Sequence, residues 1–169
     1  MLEIVSILCL LIGAGLLAAL IVIDLRTLLL PNILVLSLAL AGFMFHASTL
    51  FFYMPPMDMA LGAFLGGGTL YLIRALGNAF YKTDTLGLGD VKLMAAGGLW
   101  LGSYFILIAL MAGAVAGLVH GVILMNIEWM KTRKPVSPSK FSLPAGPGFA
   151  FGLLIAALEK FYGLPHLDF

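Results

Sequence analysis

The chain has 169 residues, 62% of them hydrophobic and only 10% charged, with a net charge of +1 and a mean hydropathy of +1.12. Soluble globular domains carry roughly a quarter of their residues as charges, so this composition excludes one. The near-zero net charge likewise gives no basic field for nucleic acid. What is left is a single membrane-embedded domain over 1–169, a length that leaves no room for a second soluble one.

In chain order, Ile4 to Ile23 is uncharged and matches the roughly 20 residues needed to cross about 30 Å of hydrocarbon. A secretory signal is disfavoured, because Glu3 stands where a basic flank belongs and the apolar run is too long. Cys9, inside this run, has no intrachain partner and no metal-ligand spacing, and reads as a small core residue. Ile33 to about Tyr53 is a second span, closed by Met54-Pro55-Pro56 and Asp58, and Met59 to about Tyr81 is a third, interrupted by Arg74. Leu93 to Ile127 is uncharged again, but one helix over that run would be about 52 Å long, too long for one crossing. A break near Gly102-Ser103 divides it into a short fourth span and a full fifth. Phe149 to Leu158, extended back a few residues, is the sixth. The expected architecture is therefore an all-α polytopic bundle of six transmembrane helices.

With six crossings the loops near 25–32, 82–90 and 128–146 share one side. Arg26, Lys82, Lys92, Lys131, Arg133, Lys134 and Lys140 fall there, with Arg74 just inside, and only Lys160 opposes them. The positive-inside rule puts that side in the cytoplasm and both termini outside. The stretch Lys131 to Pro147, with Pro135, Pro138, Pro144 and Pro147, reads as an extended basic anchor loop.

Gly62 and Gly66, and then Gly113, Gly117 and Gly121, form small-residue ridges that let helix backbones approach closely in lipid. The triplet Gly66-Gly67-Gly68 marks a further point of tight packing. His46 and His120, near the middle of the second and fifth spans, read as buried side chains with one hydrogen bond each. Ser137, Ser139 and Ser142 lack the partners of a serine nucleophile, and Asp84 and Asp58 read as solvated loop charges.

Asp24 ends the first span and Asp90 opens the fourth, so charge counting alone puts both on the cytoplasmic side. A carboxylate at a membrane edge is costly unless solvated, paired or used. Taken singly, Asp24 is a topological stop or a functional group, and Asp90 is a helix cap favoured by the helix dipole or a functional group. As a pair on one side, they point to acid–base chemistry at a membrane surface.

The segment Gly87-Leu88-Gly89-Asp90-Val91-Lys92-Leu93-Met94, continuing to Trp100-Leu101-Gly102, resembles the GxGD region of type IV prepilin peptidases. Asp24-Leu25-Arg26 followed by Leu30-Pro31-Asn32 is similar to that family's first aspartate motif, and Leu143-Pro144-Ala145-Gly146-Pro147-Gly148 resembles the stretch before its last helix, with Ala145 and Gly148 where bulkier residues are common. The three motifs occur in the family's order over almost the whole chain. The resemblance implies a GxGD aspartic protease bundle in the cell's inner or plasma membrane, with its active site facing the cytoplasm. Its partners would be the lipid bilayer and a prepilin-like substrate whose short basic leader is removed. Asp24 and Asp90 would be the catalytic pair, with Gly87, Gly89, Lys92, Arg26, Pro31 and Asn32 as motif or positioning residues and no metal or other cofactor. Larger members carry an N-terminal cysteine-rich region and methylate the new N-terminus. This chain resembles the short, peptidase-only members that serve Flp/Tad pili or archaeal pilins and archaellins, and no methyltransferase activity is expected of it.

Carboxylates brought close share one proton and titrate as a coupled unit. The ionised member activates water, and the protonated one hydrogen-bonds the scissile carbonyl. Gly87 and Gly89 give a tight turn and room for an extended substrate. Arg26 marks the membrane boundary, and Lys92 either does the same or tunes the pair. The competing readings are a GxGD protease that cuts inside a transmembrane helix, and a small transporter or assembly subunit in which the aspartates bind a cation or seal the bundle.

Overall fold

A computed structural model describes residues 2–27, 29–133 and 146–162. Nearly all of these lie in five helices: α1 (Leu2–Thr27), α2 (Asn32–Ser48), α3 (Pro56–Tyr81), α4 (Leu88–Thr132) and α5 (Gly146–Tyr162). No strand occurs among the described residues. Three helices are long and apolar enough to cross a membrane, over Ile4–Thr27, Pro56–Tyr81 and Leu88–Lys131, while Asn32–Ser48 is apolar but shorter. Large apolar side chains such as Leu11, Phe64, Met111 and Leu118 point outward, as expected of rods whose solvent is lipid rather than water. Lys134, Ser137, Ser139, Lys140, Ser142 and Leu143-Pro144-Ala145 lie outside the described residues. The segment expected to be extended from Lys131 is still helical through Thr132.

Local backbone chemistry sets the helix limits. Pro31 and Pro55 hold extended conformations ahead of α2 and α3, as proline's fixed φ and missing N–H favour at a helix start. α2 stops at Ser48, short of the expected Tyr53, because Leu50 and Phe51 turn into the left-handed region with φ of 52° and 57°. The Phe51 N–H then closes the turn on the His46 carbonyl at 2.7 Å. α3 begins at Pro56, so Asp58 sits in its first turn and not in a loop.

α4 is broken where its length demanded a break. Gly102 has φ 77° and ψ −178°, a conformation that interrupts the helix and strains any residue with a Cβ. Asp90 lies by Gly146 and Gly97 lies against Leu153, whereas Gly113 and Gly117 lie against Gly152 and Gly148. The arm over 88–101 thus runs parallel to α5 and the arm over 103–132 antiparallel to it, so the chain reverses at Gly102. Gly62 and Gly66 admit the backbone of α4 at Gly98, Gly102 and Met94, and a Cβ built on Gly62 would stand 2.7 Å from the Gly102 carbonyl carbon.

A reversal buried inside the bundle leaves backbone groups that water cannot reach, at about 1–3 kcal/mol for each one unpaired. Here charged side chains take them. Lys160 Nζ donates to the Trp100 and Leu101 carbonyls at 3.0 and 3.2 Å, and His46 Nε2 is 3.2 Å from the same Trp100 oxygen. On the other side of the break, the Asp58 carboxylate accepts the Ser103 N–H at 3.1 Å and the Ser103 hydroxyl. A cation thus meets the C-terminal end of one arm and an anion the N-terminal end of the other, the signs that the helix dipoles favour. Asp58 is therefore not a solvated loop charge, and Lys160, only 8% exposed, is not a surface charge. Sequence reading missed both because their partners are backbone groups exposed only by the break. His46 is fully buried with its one bond to Trp100, as expected, and Nδ1 has no partner.

Replacing Lys160 with Met keeps the apolar stem and removes the donor. Leaving the buried Leu101 carbonyl unpaired, and the Trp100 carbonyl with His46 alone, should lower stability by about 1–3 kcal/mol, read as a fall in the unfolding midpoint of the detergent-solubilised protein. An exposed change of similar size, such as Lys82→Met, should leave the midpoint in place.

Candidate active site

The last turn of α1, the first turn of α4 and the start of α5 meet at one end of the bundle. Along α1 the buried positions are Ser6, Cys9, Gly13, Leu20 and Asp24, one inward stripe at helical spacing. Along the first arm of α4 the stripe is Asp90, Leu93, Met94, Gly97 and Leu101. Each aspartate thus occupies a position that the pattern would give to an inward-facing apolar residue, and each is only 6% exposed.

Gly146 shows how close they come. A Cβ built on it would stand 2.7 Å from the Asp24 carboxyl carbon and 3.0 Å from Asp90 Oδ1. The two carboxyl groups are therefore no farther apart than those distances laid end to end, with the hydrogen-only face of Gly146 between them. Asp24 Oδ2 is buried there without a hydrogen-bond partner. Asp90 makes no helix-capping bond, since α4 starts after Gly87 with no side-chain cap, so the capping reading of this aspartate does not hold.

The two motifs are tied to each other. Lys92 Nζ donates to Asn32 Oδ1 at 2.9 Å, and a Cβ on Gly89 would come within 2.9 Å of Leu30 Cβ. Pro31 fixes the entry to α2 between these contacts. Lys92 thus acts through Asn32 in aligning the turn after α1 with the start of α4. Arg26 is exposed in the last turn of α1, in keeping with a boundary role. Neither Gly87 nor Gly89 has a positive φ, which corrects the expectation of a glycine-dependent turn. They matter for space: a Cβ on Gly87 would lie 3.1 Å from Asp90 Oδ2.

The loop leading to Gly87 is pinned from α3. Arg74 donates to the Leu86 carbonyl and pairs with Asp84 at 2.5 Å. Asn78 bonds Asp84 at 3.0 Å and accepts the Thr85 N–H at 2.8 Å. Asp84 is thus a structural partner and not a free loop charge. No group of three or more His, Cys, Asp and Glu among the described residues could hold a metal ion. The arrangement offers instead two buried carboxyl groups facing one small space, suited to sharing a proton and working on a water as base and acid.

Comparison with known proteins places the chain as a whole. Residues 11–122, which contain both aspartates, match the model of the type IV leader peptidase family. The chain belongs to that family. It is 36% identical over 143 residues to a prepilin leader peptidase/N-methyltransferase of Pectobacterium carotovorum subsp. carotovorum, covering 85% of this chain and 48% of that protein. Proteins of the same name from Dickeya chrysanthemi and Escherichia coli (strain K12) are each 30% identical, over 85% and 79% of this chain and 49% and 55% of theirs. The chain thus spans about half the length of the curated relatives it matches. No solved structure matches.

Gly146 is the site residue that sequence reading did not single out. Its motif was visible, but only the fold reveals that its missing side chain makes room for both carboxylates. Gly146→Ala should lower any Asp24/Asp90-dependent activity at least tenfold, while circular dichroism and the unfolding midpoint stay near wild type. Lys92→Met should lower the same activity severalfold, and Lys92→Arg should restore part of it.

Proposed function

We propose that this chain is a membrane aspartic endopeptidase that removes the short leader of type IV prepilin-like precursors at the cytoplasmic face. The convergence of the buried Asp24 and Asp90 carboxyl groups on Gly146 carries this reading, and membership of the leader peptidase family supports it. The proposed topology has six crossings, with the two arms of α4 counted separately and both termini outside. Arg26, Lys82, Lys92, Lys131 and Arg133 favour it, since they flank the same ends of α1, α3 and α4 as the two aspartates. The burial of Lys160 removes the one charge that opposed this asymmetry.

In the proposed cycle the pair holds one proton. The ionised carboxylate takes a proton from water as its oxygen attacks the scissile carbonyl carbon, and the protonated partner hydrogen-bonds and then protonates the developing oxyanion. Collapse of the tetrahedral intermediate returns a hydroxyl proton to that partner, re-forms the carbonyl and breaks the C–N bond. The carboxyl that took the proton from water gives it to the departing amine, and the pair returns to its starting state. The substrate approaches the pair beside Gly87 and Gly146, with basic residues of the neighbouring helix ends at its edge. A basic leader gains nothing from those charges, so apolar and backbone contacts must hold it.

Asp24→Asn and Asp90→Asn should each abolish leader removal from a co-expressed prepilin-type precursor, by roughly 10²–10⁴-fold in rate, with normal accumulation in the membrane. Normal cleavage by both variants would sink the dyad. Activity should fall on both sides of a pH optimum: low pH protonates both carboxylates and removes the base, and high pH ionises both and removes the acid. A chelator should leave cleavage intact, and loss restored by a divalent metal would overturn the metal-free mechanism.

A further inference from the structure

Beyond the dyad, a cavity of about 510 Å³ lies between α1, the first arm of α4 and α5, with Leu38 of α2 also lining it. Its rim toward the dyad is formed by Leu17, Gly97 and Leu153. Each of these stands seven residues from a site residue: Leu17 from Asp24, Gly97 from Asp90, Leu153 from Gly146. Seven residues are two helical turns, about 10 Å along the axis and nearly the same face. All three walls are therefore the faces that carry the two carboxylates and the glycine between them. No charged residue lines the cavity, and Leu11, Ala14, Leu154 and Leu158 on its margins are exposed toward lipid, so it opens sideways into the bilayer.

We infer that this groove seats the apolar helix of the precursor, the segment that follows the scissile bond, and that it sets where the chain is cut. The inference rests on the peptidase reading above. Its occupant must be apolar, reach the groove from within the membrane, and continue along the same helix faces to Asp24 and Asp90. A membrane-anchored precursor whose cut lies at the end of its apolar segment meets all three conditions. The cavity is too small for a whole helix about 10 Å across, so the precursor lies along the mouth with the side chains of one face inserted. At 1.5 Å per residue, the first inserted side chains belong to positions about seven residues beyond the cut.

The test uses the full-length enzyme in phospholipid vesicles with two substrates: a precursor retaining its apolar segment, and a soluble peptide that spans the cut but ends before residues that would reach the groove. Ala14→Trp fills the open side of the groove without displacing a packed neighbour. The ratio of precursor to soluble-peptide kcat/KM should fall at least tenfold, chiefly through a raised KM for the precursor. A photoreactive benzoylphenylalanine at Leu154 should crosslink to the precursor about seven residues past the cut, and one at Leu72, exposed on α3, should not. An unchanged ratio, an equal loss on both substrates, or crosslinks from Leu154 to lipid alone would overturn the groove. Failure of the wild-type enzyme to cut either substrate would overturn the peptidase reading itself and the groove with it.

Discussion

The fold depends on ending a helix where water cannot satisfy its ends. From Leu88 to Leu101 the first arm of α4 rises about 21 Å, short of the ~30 Å of a hydrocarbon core. Reversal at Gly102 leaves carbonyls of one arm and N–H groups of the other inside the bundle, where each unpaired group costs about 1–3 kcal/mol. Lys160 from α5 and Asp58 from α3 take opposite ends of the break, and His46 from α2 adds a third contact. Three helices are thereby gathered on one interruption in a fourth. Dispersion between apolar surfaces does not specify such a point, because lipid tails offer the same contacts.

That far-end junction bears on the chemistry at the other end. α5 runs parallel to the first arm of α4, and Lys160 fixes it at the level of Trp100 and Leu101. From Lys160 back to Gly146 α5 falls about 21 Å, and from Gly102 back to Asp90 the arm falls about 18 Å. The two helices thus reach the site end at nearly the same level. The glycine contacts between α5 and the second arm of α4, Gly152 with Gly113 and Gly148 with Gly117, keep that register by refusing anything larger. The position of Gly146 between the carboxyl groups follows from an ion-to-backbone contact at the opposite end of the helix.

Much of this was legible in the sequence, for identifiable reasons. Long apolar runs announced the helices, and the run from Leu93 to Ile127 was too long for one crossing, so a break followed from length and the Gly102-Ser103 pair marked its place. Charge counting put Asp24 and Asp90 on one side, and their motifs named the pair. Asp58 and Asp84 were misread together, each for want of a partner at local spacing. Asp84 finds Arg74 and Asn78 on the preceding helix, while Asp58 and Lys160 answer to main-chain groups that no residue letter records. The end of α2 was placed too late because Leu50 and Phe51 are apolar, and hydropathy does not register their left-handed backbone.

The site itself is shaped by what three glycines leave out. Gly87 leaves room beside Asp90, Gly89 lets Leu30 close the first motif against the second, and Gly146 opens the space that both carboxylates face. None of the three has a positive φ, so backbone freedom does not explain them. Burying two carboxylates in apolar stripes opposes stability, and Leu at either position would satisfy the pattern better. A fold that accepts that cost has kept two acids together where packing alone would have placed apolar side chains.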